Sequence, residues 1–97
     1  MSRPARRWTA LRIHPDDNVI CLLRDHDIGE FPVADGIEAP ALTSAVSSGH
    51  KVALYPIAEG DLVLKYGHPI GRATRAIEPG DHVHLDNLQG LSEGRAP

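Results

Sequence analysis

The sequence predicts a mainly β domain: a compact clip or small barrel of short strands with little helix. Three observations carry that expectation. Nine glycines and eight prolines punctuate 97 residues. Both types interrupt a helix, Pro by lacking the amide donor and Gly by its backbone entropy. Between these breaks the apolar residues alternate with period two or form short continuous runs, as strands do. One turn-like unit also recurs: Ile57-Ala58-Glu59-Gly60-Asp61-Leu62-Val63 returns twenty residues later as Ile77-Glu78-Pro79-Gly80-Asp81-His82-Val83.

In chain order, Trp8 to Ile13 reads as a first strand, closed by the turn His14-Pro15-Asp16-Asp17-Asn18. Val19 to Leu23 is continuously apolar, the pattern of a strand covered on both faces. Ala39 to Ser48 supports no more than one helical turn. Lys51 to Leu54, Leu62 to Tyr66 and His82 to Leu85 are further short strands. In the repeat, Gly accepts the positive φ of a turn, Asp bonds local amides and Val opens the next pleat. Asp27-Ile28-Gly29-Glu30 is a truncated third copy.

A chain of this length is one small domain. Its core is expected to be thin, because the only aromatics besides His are Trp8, Phe31, Tyr55 and Tyr66. A thin core favours a homo-oligomer or a permanent partner over a free monomer. The expected organisation is a basic arm over residues 1–10, a folded domain over 11–89 and a C-terminal tail over 90–97. Arg3, Arg6, Arg7 and Arg12 stand in an acid-free segment, whereas the other 85 residues carry 6 basic and 13 acidic side chains. An acidic body argues against a nucleic-acid partner. The longest apolar run, Val19 to Leu23, is far below the ~18 residues of a membrane helix. The Arg-rich start lacks an apolar segment behind it, so it reads as neither a signal peptide nor an export signal. Cys21, the single cysteine, can form no internal disulfide and reads as a buried core thiol. The expected compartment is the cytoplasm.

His82-Val83-His84 carries the sharpest chemistry. Residues two apart on a strand share a face, with Cα atoms ~6.5–7 Å apart, and two neutral imidazoles so placed can converge on one transition metal. Two solvated histidines fit the same pattern. Asp86 continues that face but lies ~13 Å from His82 on a straight strand, so it joins only where the strand bends or ends near Asn87. Gly49-His50-Lys51 and Lys65-Tyr66-Gly67-His68-Pro69-Ile70-Gly71 form a second group. Lysine suits a carboxylate, histidine moves protons or binds metal, and glycine lets a ligand approach the backbone. The same residues read equally as plain turns with solvated lysines. His14 and His26 read as surface residues, and Asp16, Asp17, Asp25 and Asp27 as solvated turn acids. With no Cys-x-x-Cys, phosphate-binding Gly loop or Gly-x-Ser-x-Gly elbow, the chain supplies at most part of an active site.

The order of the pieces resembles a family. Ile13 to Val19, Gly49 to Leu54, Ile57 to Gly60, Val63 to Gly67, Pro69 to Ala73 and Ile77 to Asn87 are similar to the SAF-type (antifreeze-like, β-clip) N-terminal domain of altronate and galactarate dehydratases. They are also similar to the small subunit of sulfolactate sulfo-lyase. The resemblance spans roughly residues 11–88, and Gly-His-Lys, Lys-Tyr-Gly-x-Pro-Ile-Gly and His-Val-His in this order are what make it specific. The family's third motif reads His-Val-His-x-His-Asn, and here its third histidine is Asp86.

The resemblance implies a small subunit or domain of a hydro-lyase, inactive alone, working with a large dehydratase subunit on a sugar-acid substrate. Elimination of water would yield a 2-keto-3-deoxy acid, with a divalent metal, Fe²⁺ or Mn²⁺, as Lewis acid. His82, His84 and Asp86 are then the expected metal ligands. His50, Lys51 and Lys65 are the expected catalytic or carboxylate-facing groups, and Tyr66, Gly67 and Asn87 the substrate contacts. Two alternatives stand beside this: the small subunit of a sulfolactate sulfo-lyase, and a non-catalytic β-clip that binds a sugar acid or a protein.

Overall fold

The computed structural model describes residues 8–91. Among them there is no helix, and the strands run β1 (Ala10–Leu11), β2 (Val19–Leu22), β3 (Val33–Ala34), β4 (Ile37–Glu38), β5 (Lys51–Ala53), β6 (Leu62–Lys65), β7 (His68–Ala73), β8 (His82–Val83) and β9 (Leu88–Gly90). They form three antiparallel sheets ordered β1-β2-β5-β8, β3-β4 and β6-β7-β9. The mainly β class stands as the sequence predicts. No helix of the described residues is long and apolar enough to cross a membrane.

The four-stranded sheet is covered on both sides, which is why β2 reads as an unbroken apolar run. Ala10, Ile20, Leu22 and Val52 belong to one core with Ala34, Leu42 and Val46. Val19, Ala53 and Val83 belong to a second with Ile57, Val63, Ala73 and Ile77. All four aromatics lie outside both cores; Trp8, Phe31, Tyr55 and Tyr66 are each more than two-fifths exposed.

Four copies of one turn build this frame, one more than the sequence repeat reveals. Gly29, Gly49, Gly60 and Gly80 all have φ between +85° and +88°. Each turn grips one buried residue of a neighbouring segment by a pair of backbone hydrogen bonds. Gly29 N–H donates to Leu42 O and Leu42 N–H to Glu30 O; Gly60 and Asp61 hold Ala73 in the same way. Gly49 and His50 hold Leu22, and Gly80 and Asp81 hold Ala53. The residues that enter the turns pair as His26 with Val46 and Ile57 with Ile77. An offset of 31 residues carries 22, 29, 42 and 49 onto 53, 60, 73 and 80, so the domain is two similar halves.

Several local expectations change. Ala39 to Ser48 forms no helical turn; Leu42 and Val46 instead plug the first core, and Thr43 Oγ1 donates to Asp81 Oδ1 at 2.6 Å. His68 to Ala73 is a strand, with a register shift opposite Val63 and Leu64 that accommodates Pro69. His26 is 3% exposed. Its Nε2 meets Thr9 Oγ1 and its Nδ1 meets Arg24 O, each at 2.9 Å, so Nδ1 carries the proton and the surface reading fails. Asp17 is fully buried and accepts N–H bonds from His14, Tyr66 and Gly67, the reverse of a solvated acid. Cys21 is half-buried. Thr9 and Ala10, placed by sequence in the basic arm, are buried, and Ala10 starts β1. Residues 1–7 of that arm and 92–97 of the tail lie outside the described residues.

Candidate metal centre

The register of β5 and β8 brings three histidines together. Lys51 pairs with Val83 and Val52 with His82. Continuing the ladder by one step sets His50 across from His84, with His82 diagonal to it on the same face. The rings meet as that register requires. Centroids are 4.9 Å apart for His50–His82, 5.1 Å for His50–His84 and 5.2 Å for His82–His84, the last pair stacked within 10°. One nitrogen from each ring lies within 4.8 Å of the others. His50 Nδ1 and His82 Nε2 share a hydrogen bond of 2.9 Å.

His50 reaches this position through the turn repeat. Val46-Ser47-Ser48-Gly49-His50-Lys51-Val52 is the missing fourth copy, with Val for Ile and His for Asp. In two of the other copies the acid bonds its own turn: Glu30 Oε1 accepts from Asp27 N–H at 3.0 Å, and Asp81 Oδ2 from Glu78 N–H at 2.9 Å. His50 instead faces the imidazoles of His82 in β8 and of His84 just after it.

The electrostatics favour a neutral His82. Partial burial, reinforced by the neighbouring His50 and His84, pushes His82 below the ordinary histidine value; Asp86 opposes this only in part. Neutral imidazole is the form that ligates a metal. Three nitrogen donors on one face fit a divalent transition ion with coordination positions left open. Tetrahedral ligation at ~2.0–2.1 Å separates nitrogens by about 3.3 Å, which lies between the 2.9 Å of the His50–His82 contact and the 4.8 Å that bounds all three.

Asp86 stands apart from the three. The chain turns after Val83, with Asn87 N–H donating to His84 O at 3.0 Å. Asp86 is carried to Arg75, whose Nη2 donates to its Oδ2 at 3.2 Å and holds its pKa below the usual carboxylate value. Asn87 is buried against the backbone of His82 and His84. Lys51 alternates with Val52, so it lies on the opposite face of the sheet from the imidazoles.

Lys65, Tyr66 and Gly67 belong to a different sheet, at the β6–β7 turn. Lys65 Nζ sits 4.9 Å from the Tyr66 ring, and Tyr66 takes a φ of 59°, held by Asp17. What closely approaches Gly67 is the His14 ring, which a Cβ there would strike, and what approaches Gly71 is the β9 backbone at Gln89. Sequence reasoning placed His82 and His84 on one face but did not join His50 to them as a third ligand. The fourth repeat copy was the available signal.

Comparison with known proteins accords with this architecture. The family described as "Altronate/galactarate dehydratase SAF domain" matches residues 8–91. The chain belongs to that family. It is 42% identical over 79 residues to altronate dehydratase of Bacillus subtilis (strain 168), covering 81% of this chain and 16% of that enzyme. Altronate dehydratase of Escherichia coli (strain K12) is 43% identical over the same length, again 81% of this chain and 16% of that enzyme. The SAF domain is thus a small part of those dehydratases. Subunit alpha of the (2R)-sulfolactate sulfo-lyase of Chromohalobacter salexigens is 42% identical over 45 residues, 46% of this chain and 48% of that subunit.

Proposed function

We propose that this chain is the SAF component of a sugar-acid dehydratase, and that His50, His82 and His84 lend a divalent-cation site to an active centre completed by a larger polypeptide. The convergence of the three imidazoles carries this reading. Family membership supplies the reaction class: altronate and galactarate are polyhydroxy acids, and their dehydration removes a proton beside the carboxylate and a β-hydroxyl as water. The enol so formed becomes a 2-keto-3-deoxy acid. A cation held here supplies Lewis acidity toward the substrate's oxygens.

The chain's own residues do the holding. The β5–β8 register sets the spacing of the rings, and partial burial keeps His82 neutral. Lys51, on the other face, and Lys65, on another sheet, lie outside the cation centre. Relatives six times longer than the matched segment imply that most of the active site comes from elsewhere. Four exposed aromatics fit a surface made to meet such a partner, and cytoplasmic location follows from the metabolic role proposed.

The sulfo-lyase reading has one observation of its own. Two of the similar proteins, from Chromohalobacter salexigens and Paracoccus pantotrophus, are named as alpha subunits, and this chain covers 48% and 61% of them. A separate small subunit is therefore a known arrangement among relatives.

Copurification of the tagged chain from its native cell extract, followed by assay of altronate, galactarate and sulfolactate, tests both readings. Water loss from a sugar acid that disappears in His82→Ala/His84→Ala supports the dehydratase. Sulfite release selects the sulfo-lyase. Full activity in the folded double variant rejects the role given to the histidines.

A further inference from the structure

Asn87 is 3% exposed and follows the His82–His84 pair. Its side chain is committed at both ends to the backbone of that pair. Oδ1 accepts from His84 N–H at 2.9 Å, and Nδ2 donates to His82 O at 2.8 Å. Its own N–H donates to His84 O at 3.0 Å. The two side-chain bonds straddle Val83 and so fix the backbone from which both imidazoles project. An unconstrained strand leaves residues two apart ~6.5–7 Å at Cα with rings free to diverge. Here the centroids stand at 5.2 Å and the planes within 10°.

The chemistry of the site demands an amide. One end must accept from an N–H and the other must donate to a carbonyl, which a carboxylate cannot do. The turn His14 to Asp17 makes the contrast. Asp17 Oδ2 accepts from His14 N–H three residues earlier, as Asn87 does from His84, but its remaining partners are the amides of Tyr66 and Gly67. Three donors select Asp there; a donor and an acceptor select Asn here.

We infer that Asn87 is a positioning residue of the cation site, setting the spacing and parallel attitude of His82 and His84 without touching the ion. The inference rests on the three imidazoles being a cation site. Loss of such an outer partner costs about 10–100-fold in metal affinity. Asn87→Asp keeps the acceptor for His84 N–H but sets an oxygen against His82 O. Asn87→Ala removes both bonds.

Titration of the purified chain with Co²⁺, read by its visible absorption and by competition with a chelating dye, tests this. Both variants are expected to bind about 10–100-fold more weakly and with an altered Co²⁺ spectrum, while circular dichroism of the metal-free chain stays that of the parent. A purely structural role moves stability but leaves the spectrum of the bound ion alone. Unchanged affinity and spectrum in a folded variant overturn the inference. Should Asn87→Ala fail to fold, Asn87→Asp decides. Failure of both to fold also overturns it, since Asn87 would then serve the fold and not the site. Absence of Co²⁺ binding by the parent chain removes the cation site and the inference together. Binding by the parent with indifferent variants removes only the positioning role.

Discussion

The turns at Gly49-His50 and Gly80-Asp81 grip their strands identically, yet only the second bonds its own turn through a side chain. Both glycines have φ +88°, and both turns hold a buried residue, Leu22 in one and Ala53 in the other, by two backbone bonds. Asp81 spends its carboxylate on Glu78 N–H and Thr43 Oγ1. His50 meets His82. The backbone frame is therefore indifferent to the residue after the glycine, and one exchange at that position can add chemistry without a new fold.

The strongest way to break the contrast is to make the two turns alike. His50→Asp restores the acid of the other copies and removes one nitrogen ligand. The chain is expected to stay folded, with affinity for a divalent transition ion falling beyond the ~10–100-fold that loss of an outer-shell partner costs. A competition titration with a chelating dye reads it.

Methyl groups sharpen the contrast next. A Cβ on Gly49 meets nothing within 4 Å, whereas one on Gly80 would collide with the carbonyl oxygen of Ala41. Gly49→Ala should cost the ~1–2 kcal/mol of a left-handed residue. Gly80→Ala adds overpacking, for a total of about 2–5 kcal/mol. Urea unfolding of the two variants side by side measures the difference.

Acid gives a smaller effect. His82 is held below the ordinary histidine value chiefly by burial, so below about pH 6.5 the unfolded chain takes up more protons at this residue than the folded one. The His82 contribution to stability is present above that pH and is lost as pH falls through the ordinary value toward the lowered one. The melting temperature of the metal-free chain should decline over this window, and less steeply in His82→Gln. The smallest expected effect is at Asp86. It pairs with Arg75, so Asp86→Ala should leave cation affinity unchanged within about twofold, and a loss like that of His50→Asp would restore Asp86 as a ligand.

The sequence makes the sheet core legible because Val19, Ile20 and Leu22 form an apolar run that only a doubly covered strand explains. His82 and His84 are legible for a similarly local reason, the period of two. What stays hidden depends on residues far apart in the chain. His50 joins the pair through the Val52–His82 register, His26 is buried by a partner 17 residues earlier, Thr9, and Asp17 by amides about 50 residues later. The hairpin β3–β4 has two residues per strand, too few for any period to show. The fate of Asp86 turns on Asn87, whose side chain bends the chain after Val83; Asp-Asn in a turn is a signal, but its direction is set only by the folded backbone.

The most direct test of the three-imidazole centre is a calorimetric titration of the chain with Zn²⁺, beside a His50→Ala/His82→Ala/His84→Ala variant shown to be folded. One ion bound per chain, and none in the variant, is the expected result. No binding by the parent, or equal binding by the variant, would contradict it.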